Sequence, residues 1–353
     1  MASLVVVPFA PAANAPQAGH RLAFESIRQL RALGHVRVLL LLKRDEPAPA
    51  GLVALCGAAN VQVIAIGHKR VAARWLQRPS VYPRFLTRWS PAALRAIEAQ
   101  IDRGDIDTVR LEFSQTFLYA GLLRPRTGTR VRIELVVHDI QTQAVARQSS
   151  IEYWMLPWVL RTERRVMAAA DRVVVLSDKD KTLLASLMAL SCDIDVETPP
   201  LSPFALDFRA DPRLREPNSL LFWGALARIE NEEAVLQFHK QVFEPLRSAG
   251  LKFKLYIVGS GPSEAVRRLA AEDCVVTGFV DDPTPYFQRC TIGVVPLLRG
   301  AGVKLKTLEM LACGLKVVST TVGAEGIEAD AARLVVCPLA DFRQRLADLY
   351  AAD

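Results

Sequence analysis

Residues 292–314 read IGVVPLLRGAGVKLKTLEMLACG. Residues 292–295 are short, apolar and mostly β-branched, which is typical of a buried strand, and residues 304–312 have the apolar spacing of a helix. Gly300 and Gly302 lie between the two segments, where glycine lets the backbone turn tightly. The stretch therefore predicts a strand, a glycine loop and a helix that begins directly after the loop.

Patterns of this kind alternate along the whole chain. The predicted strands are 4–7, 36–41, 61–64, 108–111, 132–137, 172–176, 220–223, 254–258, 274–277, 292–295 and 317–319. The predicted helices include 19–33, 91–103, 158–169, 231–249, 263–271, 304–312 and 340–350. Such alternation indicates an α/β protein whose parallel sheets are covered by helices on both faces.

A proline-rich segment, residues 198–217, separates two such series and is the best candidate for a linker. We therefore expect two Rossmann-like, doubly wound domains, residues 1–200 and 201–353, facing a central cleft. In sheets of this type, ligands bind beyond the carboxyl ends of the strands. The loops that follow strands are the places to look for chemistry.

The composition is that of a folded protein, with 51% hydrophobic and 23% charged residues in 353. It excludes disorder, and the apolar runs are too short for a membrane-spanning helix. Six scattered cysteines without a C-x-x-C pair predict reduced thiols in a cytoplasmic protein rather than a disulfide framework or zinc site. Residues 1–4 contain no basic side chain, so we expect no secretory signal.

Positive charge is concentrated in the first half of the chain. Residues 1–205 hold 26 basic and 18 acidic side chains, whereas residues 206–353 hold 18 and 19. This asymmetry predicts that the first half faces an anionic partner.

Residues 68–89 form the most basic stretch, with interleaved aromatic residues and no acidic residue. The basic residues are Lys69, Arg70, Arg74, Arg78, Arg84 and Arg88, and the aromatic ones are Trp75, Tyr82, Phe85 and Trp89. Two interpretations stay open: a contact with a membrane or lipid phosphate, or a solvated helical face whose aromatics pack inward. We expect no nucleic-acid partner, because no nucleic-acid-binding motif accompanies the stretch.

The glycine loop at residues 297–304 has the features of a phosphate site. The first amides of the following helix are unpaired and carry partial positive charge, which suits a diphosphate. Lys304 and Lys306 add positive charge, and the carboxylate of Glu309 has the chemistry to hold the vicinal hydroxyls of a ribose. The alternative is an ordinary tight turn, with Lys306 and Glu309 as a surface pair.

Two further loops follow predicted strands. Gly259 and Gly261 form a glycine turn before Pro262, and residues 278–282 include Phe279 and Val280. The backbone groups of the second loop suit the edge of a nucleobase. Both loops are equally compatible with ordinary strand-to-helix turns.

An ordered series of motifs lies at 222–226, 255–262, 276–281, 295–297, 300–314 and 317–326. Over residues 220–330 this series resembles the nucleotide-sugar-binding domain of glycosyltransferases with two Rossmann-like domains, the GT-B fold, and it is most similar to family 4. Residues 16–21 and the pair His138–Asp139 at a strand end resemble, more loosely, the acceptor domain of the same enzymes.

The resemblance implies a hexosyltransferase-type enzyme that moves a sugar from a nucleoside diphosphate sugar to an acceptor, which is a glycan, a lipid-linked molecule or a protein. It implies retention of anomeric configuration. It also implies a donor site made of Gly19, Arg228, Gly259, Phe279, Val280, Gly302, Val303, Lys304, Leu305, Lys306 and Glu309. From the residues themselves we expect no metal or other cofactor, because the helix start at Gly302 and the nearby cations can stabilise the leaving diphosphate and the chain shows no convincing D-x-D-type metal site.

The resemblance also implies individual roles. Glu309 holds the ribose, the amides of residues 302–305 meet the diphosphate or sugar, and residues 279–280 contact the base. Gly19 lets its loop approach the donor phosphates, and His138 contacts the transferred sugar near its reacting carbon. If the reaction inverts instead, a base is needed, and Glu112 and Asp139 are the candidates.

Three places depart from the family pattern. A family glutamate that touches the donor sugar is Ala301 here, and a family arginine near the diphosphate is Ala225, for which Arg228 is the candidate replacement. The family's Lys-Gly pair that follows is Asn231–Glu232 here. Two other functions therefore stay open: a nucleotide-sugar epimerase of the same fold, and a non-catalytic subunit that binds nucleotide sugar. For a transferase we expect a cytoplasmic location with docking to an anionic acceptor or the inner face of the membrane.

Overall fold

The computed structural model describes residues 2–13, 15, 17–44, 46–67, 71–128, 130–147 and 151–352. The chain divides into two compact units, residues 1–200 and residues 201–353. Each unit contains one parallel sheet.

Unit 1 contains a seven-stranded sheet. Its strands are β1 Ala2–Val7, β2 His35–Leu42, β3 Val61–Ala65, β4 Thr108–Glu112, β5 Arg132–Val137, β6 Arg172–Val175 and β7 Asp193–Val196. They lie in the order β3-β2-β1-β4-β5-β6-β7, and every neighbouring pair is parallel. The order of the strands reverses between β1 and β4, which makes that position the switch point of the sheet.

The helices of unit 1 connect successive strands. They are α1 Ala18–Leu33, α2 Ala50–Cys56, α3 Val71–Gln77, α4 Pro91–Ile101, α5 Leu118–Thr127, α6 Gln141–Ala146, α7 Leu156–Met167 and α8 Asp178–Met188.

Strand β1 explains why helices cover both faces of this sheet. Leu4 and Val6 belong to one buried apolar cluster, and Val5 and Val7 belong to the other. Because side chains alternate across a strand, a strand that is apolar at every position needs cover on both sides. Each of these side chains stabilises the fold by about 1.5–3 kcal/mol.

Unit 2 contains a six-stranded parallel sheet. Its strands are β8 Ser219–Trp223, β9 Lys254–Val258, β10 Cys274–Gly278, β11 Ile292–Val295, β12 Lys316–Ser319 and β13 Leu334–Val336. They lie in the order β10-β9-β8-β11-β12-β13, so the switch point lies between β8 and β11. The helices are α9 Pro203–Asp207, α10 Ile229–Phe238, α11 Glu244–Ser248, α12 Glu264–Arg267, α13 Thr284–Arg289, α14 Leu305–Ala312 and α15 Phe342–Ala352.

The predicted fold class, an α/β protein with two doubly wound parallel sheets, is confirmed. All eleven predicted strands exist, with ends shifted by at most two residues. The two edge strands β7 and β13 were not predicted, because β7 reads DIDV and is only half-buried, and β13 has three residues. The predicted helix 231–249 is interrupted by a π-helical turn at His239–Phe243.

The proline-rich segment is not an open linker. It contains α9, and Phe204 on that helix makes edge-to-face contacts with Trp223 and Phe287, at centroid distances of 6.0 and 5.0 Å. The segment after residue 200 therefore packs on the core of unit 2.

Two sequence expectations concern cysteines and membrane spans. All six cysteines are free thiols, and five of them are buried. Among the described residues, no helix combines the length and the apolar character needed to cross a bilayer, and no cluster of three or more His, Cys, Asp or Glu side chains is arranged to hold a metal ion.

Candidate functional site

The switch point of unit 2 brings the loop after β8 next to the beginning of α14. Helix α14 begins at Leu305, directly after the glycine loop, and no side chain caps its first turn. Both glycines of the loop have positive φ, 125° at Gly300 and 69° at Gly302. The loop thus has the backbone conformation that only glycine adopts easily, and it leaves the positive end of the helix without a side-chain partner.

Lys306 lies at the centre of this site. Its Nζ donates a hydrogen bond to Asn231 Oδ1 over 2.6 Å and lies 5.0 Å from the centroid of the Phe222 ring. Burial, together with repulsion from Arg228 and Lys304, lowers the pKa of Lys306 to about 7. An ammonium held in this way gains an anionic partner at little further cost in desolvation.

Asn231 fixes the position of that lysine. Its Nδ2 donates to the carbonyl oxygen of Ala225 over 2.7 Å, while its Oδ1 accepts from Lys306. Gly224 makes room for the lysine, because a Cβ there would lie 2.8 Å from Lys306 Nζ. The loop after β8 thus has room for the ammonium group of Lys306, which extends from α14.

Glu309 is completely buried, one turn further along α14 than Lys306. Its Oε2 accepts a hydrogen bond from Trp223 Nε1 over 2.8 Å. The indole N–H therefore fixes the orientation of the carboxylate that sequence analysis assigns to ribose. The Lys306–Glu309 surface pair proposed as the alternative is not present as such, because Glu309 is not on the surface.

The remaining charges near the loop point to other partners. Lys304 Nζ donates to the carbonyl oxygens of Ala301 and Gly302 over 2.7 and 2.5 Å, so this lysine closes its own loop. Arg228 is exposed and forms an ion pair with Glu230. Of the three predicted donor-site cations, Lys304 and Arg228 are thus engaged by neighbouring groups of the loop region itself.

Gly259 has a packing role that the sequence did not reveal. Its φ is 157°, and a Cβ would lie 1.7 Å from the carbonyl oxygen of Gly224. Gly261 is similar, since its Cβ would lie 2.8 Å from that of Ala227. The two glycines let the loops after β8 and β9 touch through their backbones.

The loop after β10 presents one large aromatic side chain. Phe279 is 54% exposed, whereas Val280 packs partly against the core of unit 2. An exposed phenylalanine beside a partly buried valine offers a flat apolar surface of the kind on which a nucleobase stacks.

In unit 1, the end of β4 holds a buried network of charged residues. His138 Nε2 lies 2.8 Å from Glu112 Oε2, and Glu112 Oε1 accepts from Ser26 Oγ over 2.8 Å and from Arg110 Nε over 3.1 Å. Burial alone would raise the pKa of Glu112, but the hydrogen bond with His138 and the charge of Arg110 lower it to about 2. Glu112 is therefore ionised and orients the histidine from behind.

The network continues across the sheet through Arg110, a buried residue on β4. Its guanidinium lies 2.7 Å from Glu197 and 3.5 Å from Glu134, and Arg172 on β6 reaches Glu134 at 3.5 Å. Because several carboxylates surround Arg110, the pKa of its guanidinium is raised above the ordinary value.

The imidazole of His138 has one nitrogen that faces no polar partner. Nε2 contacts Glu112, whereas Nδ1 is buried without a hydrogen-bond partner among the described residues. The ring stacks on Phe113 with a centroid distance of 3.6 Å and an interplanar angle of 4°. In the neutral tautomer in which Nε2 donates to the carboxylate, Nδ1 is left as a hydrogen-bond acceptor in a position fixed by Glu112 and Phe113.

Phe113 has a backbone φ of 67°, which is rare for a bulky residue and costs free energy. Its ring contacts that of Phe9, which stacks on His20 at 4.1 Å. The Cβ of an alanine at position 19 would lie 3.3 Å from the Phe113 ring. Gly19 therefore lets the first turn of α1 pack closely on this column of four rings.

Asp139, the second candidate base, is exposed at the start of the loop after β5. The buried carboxylate of Glu163 accepts from the amides of Gln141 and Thr142 over 2.7 and 2.9 Å, and thereby caps α6. Of the two candidate bases, Asp139 faces solvent and Glu112 lies behind His138.

The described part of the basic stretch at 68–89 packs mostly into unit 1. Residues 68–70 lie outside the described residues. The buried guanidinium of Arg74 donates to the carbonyl oxygens of Ile66 and Thr87 over 3.0 and 2.5 Å, and Arg88 donates to that of Pro8 over 2.5 Å. These arginines satisfy backbone carbonyls, and most of the aromatic residues pack inward.

Two parallel sheets, each with its polar groups at the switch point, have the architecture of a GT-B glycosyltransferase. Residues 19–196 match the model of Glycosyltransferase Family 4, and residues 217–352 match the model of Glycosyl transferases group 1. The chain belongs to glycosyltransferase family 4.

Solved structures share the fold at low sequence identity. Sucrose-phosphate synthase of Thermosynechococcus elongatus is 14% identical with a TM-score of 0.70, and the match covers 99% of this chain and 90% of that one. HepE of Anabaena, in complex with UDP-glucose, is 11% identical with a TM-score of 0.65, covering 99% and 89%. The lipopolysaccharide outer core galactosyltransferase WaaB is 14% identical with a TM-score of 0.62, covering 100% and 91%.

A search of curated proteins by sequence finds no match for this chain.

Three residues of these sites carry no role in the sequence analysis. They are Trp223, Asn231 and Arg110, each of which holds a predicted site residue or its partner in place. A tryptophan at a strand end and an arginine within an apolar strand were visible in the sequence. Their partners, however, include Glu309, Lys306 and Glu197, which are 86, 75 and 87 residues away along the chain, so their role emerged only from the fold.

Proposed function

We propose that this family 4 glycosyltransferase transfers a hexose from a nucleoside diphosphate sugar to a hydroxyl-bearing acceptor, with retention of anomeric configuration. In this proposal unit 2 binds the nucleotide and unit 1 binds the acceptor. The observation that carries the proposal is the cation of Lys306 beside the uncapped beginning of α14.

Breaking the bond between the sugar and the diphosphate leaves negative charge on the phosphate. Fixed positive charge and helix amides at that position stabilise the transition state more than the ground state. Family members that carry an arginine at the position of Ala225, in the loop after β8, have that positive charge at the diphosphate. In this chain Lys306 on α14 supplies it instead. Asn231 holds Lys306 in place, and Glu309, oriented by Trp223, binds the ribose hydroxyls.

His138 is proposed to contact the transferred sugar through Nδ1. The nitrogen accepts a hydrogen bond from a sugar hydroxyl, because Glu112 holds the proton on Nε2. Since the pKa of Glu112 is about 2, that carboxylate does not exchange protons near neutral pH. We therefore assign Glu112 to positioning His138. Under retention, the leaving phosphate takes the proton of the acceptor, and no separate base is needed.

The test is a thermal-shift screen followed by turnover measurements. We expect UDP, GDP or dTDP, one of them more than the others, to raise the Tm, because a ligand that binds only the folded state stabilises it. The matching nucleotide sugar should then release free nucleotide slowly without an acceptor and faster with one.

Lys306→Met should make the Tm shift at a given nucleotide concentration clearly smaller, and Lys316→Met is the matched control, since Lys316 is exposed at the start of β12. A panel in which no nucleoside diphosphate raises the Tm would refute the donor site. Binding without release of nucleotide from any sugar donor would instead favour a non-catalytic subunit, and interconversion of nucleotide sugars would indicate an epimerase.

A further inference from the structure

Unit 1 exposes five large apolar residues on two neighbouring segments. Trp154 is 85% exposed, Leu76 75%, Tyr153 54%, Met155 38% and Trp75 36%. Tyr153–Met155 precede α7 directly, and Trp75 and Leu76 belong to α3. Isolated exposed apolar residues are common, but a group of this size marks an interaction surface.

Ring contacts join the two segments into one surface. The Trp75 ring lies 6.4 Å from that of Trp158 on α7, and Trp158 lies 5.5 Å from the Tyr82 ring. Trp158 Nε1 donates to the carbonyl oxygen of Ser80 over 3.0 Å, and Trp75 Nε1 donates to that of Pro79 over 3.1 Å. These hydrogen bonds hold both indole rings in place on the surface of unit 1, next to the exposed side chains.

The exposed charge on α7, beside this surface, is positive. Arg161, Arg164 and Arg165 are exposed on α7, which begins directly after Met155. Residues 71–89 contain no acidic residue, and residues 151–167 contain Glu152, directly before Tyr153, and Glu163, which is completely buried as the cap of α6. The exposed charged side chains of α7 are therefore all cationic.

We propose that this surface, defined by Trp75, Leu76, Tyr153, Trp154, Met155 and the three arginines of α7, docks unit 1 on an anionic lipid bilayer. Tryptophan and tyrosine rings settle at the boundary between headgroups and acyl chains, and arginines beside them attract anionic headgroups. The excess of basic residues in the first half of the chain also favours binding to an anionic bilayer.

The docking surface also lies near the chemistry of unit 1. Residues 153–155 follow β5 and α6, and Glu163 on α7 caps α6 directly after the His138–Asp139 strand end. A bilayer at this surface brings lipid-linked hydroxyls to the edge of the sheet where His138 lies. The inference rests on the proposed function only for this last step, since docking itself requires no nucleotide.

The experiment is co-sedimentation of the full chain with vesicles, in the absence of nucleotide. One set contains phosphatidylcholine only, and the other contains 30% phosphatidylglycerol, a fraction chosen as about that of a strongly anionic membrane. We expect binding to the anionic set that weakens with added salt. The double variant Trp154→Ala/Leu76→Ala should lower the partition coefficient about tenfold or more.

Replacing Arg161, Arg164 and Arg165 by glutamine should lower the partition coefficient about fivefold for each arginine. Two matched controls separate a local surface from general effects. Leu33→Ala removes an apolar side chain that is 80% exposed on α1, and glutamine at Arg31, Arg103 and Arg267 makes the same change in net charge. Neither control should change binding by more than about twofold.

Three results would overturn the proposal. The first is a parent protein that stays in the supernatant with anionic vesicles. The second is a Trp154→Ala/Leu76→Ala variant that binds as the parent does. The third is a dimer of the parent in sedimentation velocity that this double variant abolishes, which would make the surface an interface between two copies. Failure of the nucleotide screen would leave all three results interpretable, because no nucleotide is used here.

Discussion

Replacing Lys306 by methionine should stabilise the unliganded protein and weaken its binding of nucleoside diphosphate. The pKa of this lysine falls from 10.5 to about 7 on folding, chiefly because of burial. A drop of that size corresponds to about 5 kcal/mol for a side chain sealed from water, since each pH unit is worth about 1.4 kcal/mol. Lys306 is only half-buried, so we expect the methionine variant to be about 2 kcal/mol more stable at pH 7.

The sign of the pH dependence follows from proton counting. Between pH 7 and pH 10.5 the unfolded chain binds the lysine proton and the folded chain does not, so the parent gains stability as pH rises through this window. The advantage of the variant is therefore largest at pH 7 and below, and it disappears above pH 10.5. Urea unfolding at pH 7, 8 and 9 should show the difference shrinking steadily.

Donor binding should change in the opposite direction. A hydrogen bond between an ammonium and a phosphate oxygen contributes about 1.5–3 kcal/mol, so the variant should lose about 10- to 100-fold in affinity for the nucleotide. In the parent, affinity for a nucleotide sugar should fall as pH rises above 7, because binding then requires proton uptake. Calorimetric titration in two buffers with different ionisation enthalpies measures that proton.

Lys316→Met, on the exposed start of β12, should change neither quantity. A methionine variant at position 306 that is less stable than the parent at pH 7 would refute the burial argument. A variant that binds nucleotide as tightly as the parent would refute the assignment of Lys306 to the diphosphate.

Three other substitutions test separate contacts. Trp223→Phe keeps the packing but removes the N–H that holds Glu309, so steady-state kinetics should show a five- to tenfold higher donor KM, about 1 kcal/mol, with kcat unchanged. Gly259→Ala should lower the free energy of unfolding by more than about 3 kcal/mol, whereas Gly250→Ala, which also has positive φ but has open space around it, should cost about 1 kcal/mol. The pKa of Glu112 is lowered on folding, so this carboxylate contributes stability that the parent loses as pH falls from 4.5 to about 2. Glu112→Gln should remove that contribution, and acid unfolding followed by circular dichroism should then show a flatter dependence of stability on pH. An unchanged pH dependence would contradict the lowered pKa.

The sequence predicted the fold well because the relevant signals are local. Short apolar strands, glycine loops and amphipathic helices each need only their own residues to be recognised. The edge strand β7 escaped because its DIDV sequence alternates charge with apolar residues and its stability depends on pairing with β6. Residues 239–243 were predicted as α-helix, and a π-helical turn of one extra residue has no clear sequence signal.

The candidate sites were predicted as single residues, and their partners came from the structure. Glu309 was assigned from its place after the glycine loop, but its bond to Trp223 depends on how α14 lies against β8. His138 was assigned from its strand end, whereas the carboxylate behind it comes from the neighbouring strand β4. Contacts of this kind join residues that are distant in the chain, and no periodicity in one segment reports them.

The charged residues buried in unit 1 also constrain how this chain can diverge. Arg110 is the shared partner of Glu112, Glu134 and Glu197, so losing the arginine leaves the buried carboxylates of Glu112 and Glu134 without its charge. A single change at Arg110 should therefore be costly, and a change that removes a buried acid together with it should cost less. Among descendants of this sequence, positions 110, 112, 134 and 197 should therefore covary, and a lineage that has lost Arg110 should have lost an acid with it.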